Sequence, residues 1–410
     1  MSSKSRNRGV SKGGGIDTIK STSLNPQQFF EKYVQSRTPV LFSDRPDELE
    51  KVKKWNNSYL LKKCGAAKIK IERREEGGGY GKGNEEKTTF KKFLQTVQEG
   101  HTYLTTQDLE YDEEGRPLII SPPLSSLRDD YPISPSLFSN LVLANMNMWF
   151  GHTHGTEYTS SGLHHDFHDN LYVLLRGEKK ITLISPAEAG NLYTVGQISK
   201  VHPNGRINYA GQLQTRADGS DPSAERALQA SQKLETSKRP RRDADISATD
   251  ACAEKVVQEL QRVEGLLDAG LRGALHAAKN KRDTDKVTSV GRKENAHQEK
   301  EEKTSKAPAN FSRVDSSLPA AELEARFPLF KQALDRGAAV EVTLRAGQML
   351  YIPAGWFHEV RSRATQEQEE KEWGGHLALN YWFHPPDGPS FEQPYASDFW
   401  KRDFEARSDI

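Results

Sequence analysis

The chain has 410 residues, with 58 Lys and Arg against 57 Asp and Glu, and a formal net charge of +1, so no global field draws it to nucleic acid. Hydrophobic residues make up 35% and the mean hydropathy is −0.78, which leaves part of the chain without a core of its own. Cys64 and Cys252, the two cysteines, stand in unlike contexts; this excludes a disulfide framework or a cysteine-based zinc site and fits a reducing compartment.

In chain order, residues 1–21 read as a disordered tail, basic and Gly/Ser-rich over 1–15. No secretory leader is expected there, and no apolar run approaches the ~18 residues of a membrane span, so an intracellular location, cytoplasmic or nuclear, is expected. From 22 to 390 the chain reads as one β-rich domain. Strands are predicted at 146–150, 171–175, 180–184, 339–344, 349–352 and 377–383, punctuated by Gly and Pro. Many short antiparallel strands favour a jelly roll of the cupin type, with inward residues from several strands converging at its mouth.

Residues 206–308 break this pattern, with few aromatics and charged runs such as 299–306, and read as a low-complexity charged insertion. Within it Val256, Val257, Leu260, Val263, Leu266, Leu267, Leu271 and Leu275 keep a helical rhythm, weakened by Gly265, Gly270 and Gly273. Lys238-Arg239-Pro240-Arg241-Arg242 is a candidate nuclear signal, or a solvated charge run. Residues 391–410 read as a C-terminal tail.

The densest chemistry lies in Leu163-His164-His165-Asp166-Phe167-His168-Asp169-Asn170. On a strand, His164 and Asp166 point to one face, where they can fill two sites on a metal. Asp166 and His168 share the same spacing, and His165 and Asp169 are further donors. His358, at the end of Gly347-Gln348-Met349-Leu350-Tyr351-Ile352-Pro353-Ala354-Gly355-Trp356-Phe357-His358, is the natural third donor. Two histidines and one carboxylate with open positions left over is the arrangement of non-haem Fe(II) oxygenases. A structural zinc would need a fourth protein donor.

The run from Asn170 to Pro186, with Gly177-Glu178-Lys179 at its centre, and the run from Gly347 to His358 resemble the two signatures of the JmjC family of Fe(II)- and 2-oxoglutarate-dependent oxygenases. Asn380-Tyr381-Trp382-Phe383 is similar to that family's closing strand. Arg326-Phe327-Pro328-Leu329-Phe330 and residues 25–34, 38–42, 55–61 and 67–71 resemble elements of its small hydroxylase branch. The likeness spans roughly 22–205 and 309–390. It implies His164, Asp166 and His358 as ligands of Fe(II), in preference to Asp166 with His168. It further implies 2-oxoglutarate and O2 as cosubstrates, with Lys179 holding the distal carboxylate. Lys180 should face the other way. Ser161, Asn170, Asn380 and Tyr103 match further residues of the cosubstrate pocket. Trp149, Trp356, Phe357 and Trp382 are read as walls of the site or, equally, as aromatic core.

The expected reaction is hydroxylation of a protein or peptide side chain, with release of succinate and CO2. N-methyl-lysine demethylation at the same site is the alternative, and a non-catalytic cupin-like binding protein is the remote one. No direct binding of nucleic acid or membrane is expected, and the oligomeric state is open.

Overall fold

The structure, a computed structural model, describes residues 15–73, 84–108, 110, 118–153, 158–223, 307–365 and 374–407. The chain divides into two units, Met1–Gly219 with Lys306–Ile410, and Ser220–Ser305. Of the second, only residues 220–223 are described; the helix expected at 256–275 and the basic run at 238–242 lie outside the described residues.

The strands of the first unit are β1 (Asp17–Ile19), β2 (Val40–Phe42), β3 (Lys68–Arg73), β4 (Asn84–Thr89), β5 (Thr102–Leu104), β6 (Leu143–Gly151), β7 (Thr159–Ser160) and β8 (His164–His165). Then follow β9 (Asp169–Arg176), β10 (Glu178–Ile184), β11 (Ile198–Val201), β12 (Ile207–Tyr209), β13 (Ala339–Arg345), β14 (Met349–Ile352), β15 (Phe357–Arg363) and β16 (His376–Phe383). The helices are α1 (Pro26–Phe29), α2 (Asn57–Cys64), α3 (Phe90–Thr96), α4 (Ala320–Arg326), α5 (Pro328–Asp335) and α6 (Phe399–Glu405). Local chemistry sets the helix starts. Asn25 and Gln28 form a reciprocal capping box with Pro26 at the first helical position of α1, and Asn56 and Thr89 cap α2 and α3; each cap satisfies a backbone N–H that the helix cannot. Among the described residues no helix is long and apolar enough to cross a membrane.

Nine strands form one sheet in the order β1-β2-β14-β9-β16-β6-β5-β3-β4. A second sheet runs β13-β10-β15-β7, with β8 also paired to β15. Alternation sorts the side chains. On β6, Met146, Met148 and Phe150 join the outer core with Phe29, Phe30, Phe90 and Phe93, while Asn145, Asn147 and Trp149 take the opposite face. Between the sheets, Tyr172, Leu174, Leu350, Ile352 and Ala378 of the large sheet meet Ile181, Leu183, Val340, Val342 and Leu344 of the small one. Each fully buried aliphatic side chain of this layer contributes about 1.5–3 kcal/mol. The result is the expected jelly-roll core with flanking helices.

Gly177 makes the passage from β9 in one sheet to β10 in the other. Its φ is +83° and an added Cβ would come within 2.6 Å of the Arg363 carbonyl oxygen, so only glycine fits. That one-residue link fixes which face each β10 side chain takes.

Three boundaries differ from expectation. The segment read as an N-terminal tail includes β1, parallel to β2. Residues 206–219, assigned to the insertion, belong to the first unit: Ile207 and Tyr209 are buried and Arg206 donates to the Phe167 carbonyl oxygen at 2.7 Å. The region after 391 carries α6, whose Trp400 stacks on His384 with ring centroids 3.5 Å apart and donates to the Asp218 carbonyl oxygen. Residues 206–219 and α6 are held by specific hydrogen bonds of Arg206 and Trp400, which composition does not signal.

Candidate metal centre

β8 pairs antiparallel with β15, and His164 stands directly opposite His358. Their rings lie 4.5 Å apart between centroids. His358 also stands opposite Leu183 across β10, a residue of the inter-sheet core, so its ring faces the interior. Asp166 follows β8, held by the Gly355 N–H donating to its carbonyl oxygen at 3.0 Å. The donor atoms of His164, Asp166 and His358 all lie within 4.8 Å of one another, the one such convergence among the described residues.

Hydrogen bonds set the tautomers. His164 Nδ1 lies 2.9 Å from the Gly162 carbonyl oxygen and His358 Nδ1 lies 3.0 Å from that of Trp356. A carbonyl oxygen only accepts, so each Nδ1 carries a proton, and Nε2 is the ring atom turned toward the other donors. His358 Nε2 is 3.8 Å from Asp166 Oδ2. Burial, reinforced by the neighbouring His358 and opposed by Asp166, pushes the His164 pKa down to about 4. Neutral imidazoles beside a carboxylate are the form a divalent cation requires, and the donor set fits one.

His165 and His168 are placed apart from this set. His165 is fully buried on the other face, with Nε2 at 2.7 Å from the Tyr209 hydroxyl. His168 stacks on Trp382 at 5.9 Å.

A polar relay ends on Asp166. Trp149 Nε1 donates to Asn380 Oδ1 (3.0 Å), Asn380 Nδ2 to Asn170 Oδ1 (3.2 Å), and Asn170 Nδ2 to Asp166 Oδ2 (3.2 Å). Asn170 and Asn380 are thus both linked to the carboxylate.

Lys179 is fully buried. Its Nζ donates to Ser362 Oγ at 2.7 Å and sits 5.6 Å from the centre of the Tyr172 ring; burial alone pulls its pKa down to about 7. Lys180 turns to the opposite face, over Tyr158. Tyr103 lies against Trp149 and His376, at 6.1 and 5.8 Å between ring centroids. Its hydroxyl is close enough to help raise the Tyr172 pKa, though burial is the larger cause. Ser161 is placed differently: its hydroxyl accepts from the Val360 N–H and donates to the Gly162 carbonyl oxygen, both at 3.0 Å. The hydroxyl on Lys179 belongs to Ser362, which sequence reasoning missed, as it missed Tyr172. Both were within reach of the alternation rule, four residues beyond His358 and two beyond Asn170.

Behind the centre, Asp169 is buried and takes a bidentate ion pair from Arg37, one arm at 2.9 Å. It also accepts from the Tyr351 hydroxyl (2.6 Å) and the Ala354 N–H (2.9 Å), while Trp356 Nε1 donates to the Arg37 carbonyl oxygen. These bonds fix the turn that delivers His358. Arg37→Met leaves a buried carboxylate without its cation, so a loss of about 3 kcal/mol is expected in urea unfolding. Arg37→Lys should recover part of it, since lysine lacks the bidentate fork.

The chain matches the family described as the cupin-like domain over residues 26–388. It belongs to that family, in its JmjC form. It is 32% identical over 422 aligned positions to the JmjC domain-containing protein 4 of Schizosaccharomyces pombe, covering 91% of this chain and 85% of that protein. A shorter match, 42% over 59 residues and 14% of each chain, is to the human bifunctional peptidase and (3S)-lysyl hydroxylase JMJD7. Another, 25% over 193 residues, covers 43% of this chain and 17% of the tRNA wybutosine-synthesizing protein 4 of Gibberella zeae.

Proposed function

We propose that this chain is an Fe(II)- and 2-oxoglutarate-dependent oxygenase that hydroxylates a side chain of a protein. The observation that carries the reading is the placing of His164, Asp166 and His358 on the same barrel interior as the buried Lys179–Ser362 pair. Fe(II) with 2-oxoglutarate and O2 supplies the oxidising equivalents: one oxygen atom enters a C–H bond, the other enters succinate, and CO2 leaves.

The chain's own residues do the positioning. His164, Asp166 and His358 would hold the ion, with open positions left for cosubstrate. The relay through Asn170 orients Asp166, as outer partners of metal ligands do. Lys179 and Ser362 offer a cation and a hydroxyl to a carboxylate. Trp149 and Tyr172 wall the same interior and limit water. The short likeness to a protein named as a lysyl hydroxylase supports a protein side chain as substrate.

Purified protein with Fe(II), 2-oxoglutarate and a peptide library, read by mass spectrometry, tests this. A product about 16 mass units heavier, with matching succinate, is expected from adding oxygen. A product about 14 units lighter, from loss of CH2, would make the chain a demethylase instead.

Residues 224–306 are proposed as a spacer between β12 and α4. Replacing them with a short Gly/Ser linker is expected to preserve succinate release, since loop closure entropy changes only logarithmically with length. Loss of turnover in that variant would assign the segment to the substrate site.

A further inference from the structure

The inner faces of β6 and β16 carry polar atoms that the site described above leaves unused. Asn145 stands opposite Trp382, and Asn147 opposite Asn380. In an antiparallel pair, opposed residues share a face, so all four point into the barrel. Asn380 is engaged in the relay, but Asn145 Oδ1, Asn147 Nδ2 and Trp382 Nε1 are buried without a hydrogen-bond partner among the described residues. Asn147 is 5% exposed. Trp382 is opposed by Asn170 on its other side, one hydrogen bond from Asp166. Native folds pair nearly all such groups, and leaving three unpaired on one patch is unfavourable for the fold alone. The patch therefore points to a ligand.

We infer that Asn145, Asn147 and Trp382 bind the substrate through an amide, and that the substrate is a polypeptide lying with a peptide bond across β6 and β16. This rests on the oxygenase reading above. Two N–H donors and one carbonyl acceptor are the complement of an amide, whose oxygen accepts twice and whose N–H donates once. Among the described residues of this patch, a methylated ammonium would meet no carboxylate and a phosphate no cation. The ring of His168 on Trp382, followed by His384 at 5.6 Å and Trp400 stacked on it, extends the wall outward from the patch.

The test uses full-length protein loaded with Zn(II) and 2-oxoglutarate, which does not turn over. The probes are N-methylbutyramide and its ester isostere, methyl butyrate, read by saturation-transfer NMR. The amide should give at least a fivefold stronger signal than the ester, and Asn147→Leu or Asn145→Leu should remove that difference. Both variants should bind 2-oxoglutarate as the wild type does. They should melt no lower than the wild type, because they remove an unpaired polar atom; a structural role would lower the melting temperature. Equal signals from amide and ester overturn the inference alone, as does loss of 2-oxoglutarate binding in the variants, which would move the patch to the cosubstrate pocket. If the wild type takes up neither metal nor 2-oxoglutarate, the oxygenase reading falls and this inference with it.

Discussion

Asp166→Ala is expected to reduce succinate release to background while the metal-free protein stays folded, less stable by at most about 1–3 kcal/mol from the acceptor that Asn170 loses. The carboxylate belongs to the convergent donor set but to none of the hydrophobic clusters. The bond that its carbonyl oxygen accepts from Gly355 survives in alanine. Loss of an outer partner of a metal ligand lowers metal affinity about 10–100-fold, and loss of the ligand itself should exceed that. Calorimetric titration with Mn(II) under argon, beside a succinate assay, gives both quantities. His358→Ala should behave alike in the two assays. Full turnover by either variant would remove the donor set from the chemistry.

Lys179→Met is the second large effect. A 2-oxoglutarate carboxylate buried without its cation costs about 3–5 kcal/mol, so the Michaelis constant for 2-oxoglutarate should rise about 100-fold or more. Lys180→Met should change it little, and a larger effect there would shift the register of β10 by one residue. A pH signature accompanies this. Burial lowers the Lys179 pKa to about 7 from an ordinary value of 10.5. Between those two values the unfolded chain holds a proton that the fold has shed. The unliganded fold therefore gains stability as pH rises from about 7 to 10.5 and is flat below. Lys179→Met should abolish that slope. A dianion brought beside the amine restores its charge, so binding at pH 8–9 should take up close to one proton. Calorimetry in buffers of different ionisation enthalpy measures it.

Much of the centre was legible because strand alternation is a local rule. It offered His164 with Asp166 on the same terms as Asp166 with His168; the likeness to the JmjC family chose the first pair and named Lys179, and alternation then turned Lys180 to the other face. The expected strand at 171–175 is the middle of Asp169–Arg176, and that at 377–383 is one residue short of His376–Phe383. β15 was not expected as a strand, although it carries His358. Its sequence, Phe357-His358-Glu359-Val360-Arg361-Ser362-Arg363, has too few apolar residues to signal one, and its pairing with β10 and β8 is non-local. The ion pair between Arg37 and Asp169 was hidden for the same reason. Residues 206–219 read as part of the insertion because side-chain amides hold them: Asn208 donates to the Thr215 carbonyl oxygen and Asn204 to those of Ala217 and Pro386. Such bonds leave no periodic trace in sequence.

The pairing of Lys179 with Ser362 joins residues 183 positions apart. On a ribosome adding about 5–20 residues per second, the second follows the first by roughly 10–40 s. Throughout that interval the nascent chain holds His164 and Asp166 without His358, and Lys179 without its hydroxyl. Two donors on a loose strand make a weak chelate. A metal held by this donor set would therefore find its full seat only once β15 has paired with β10 and β8.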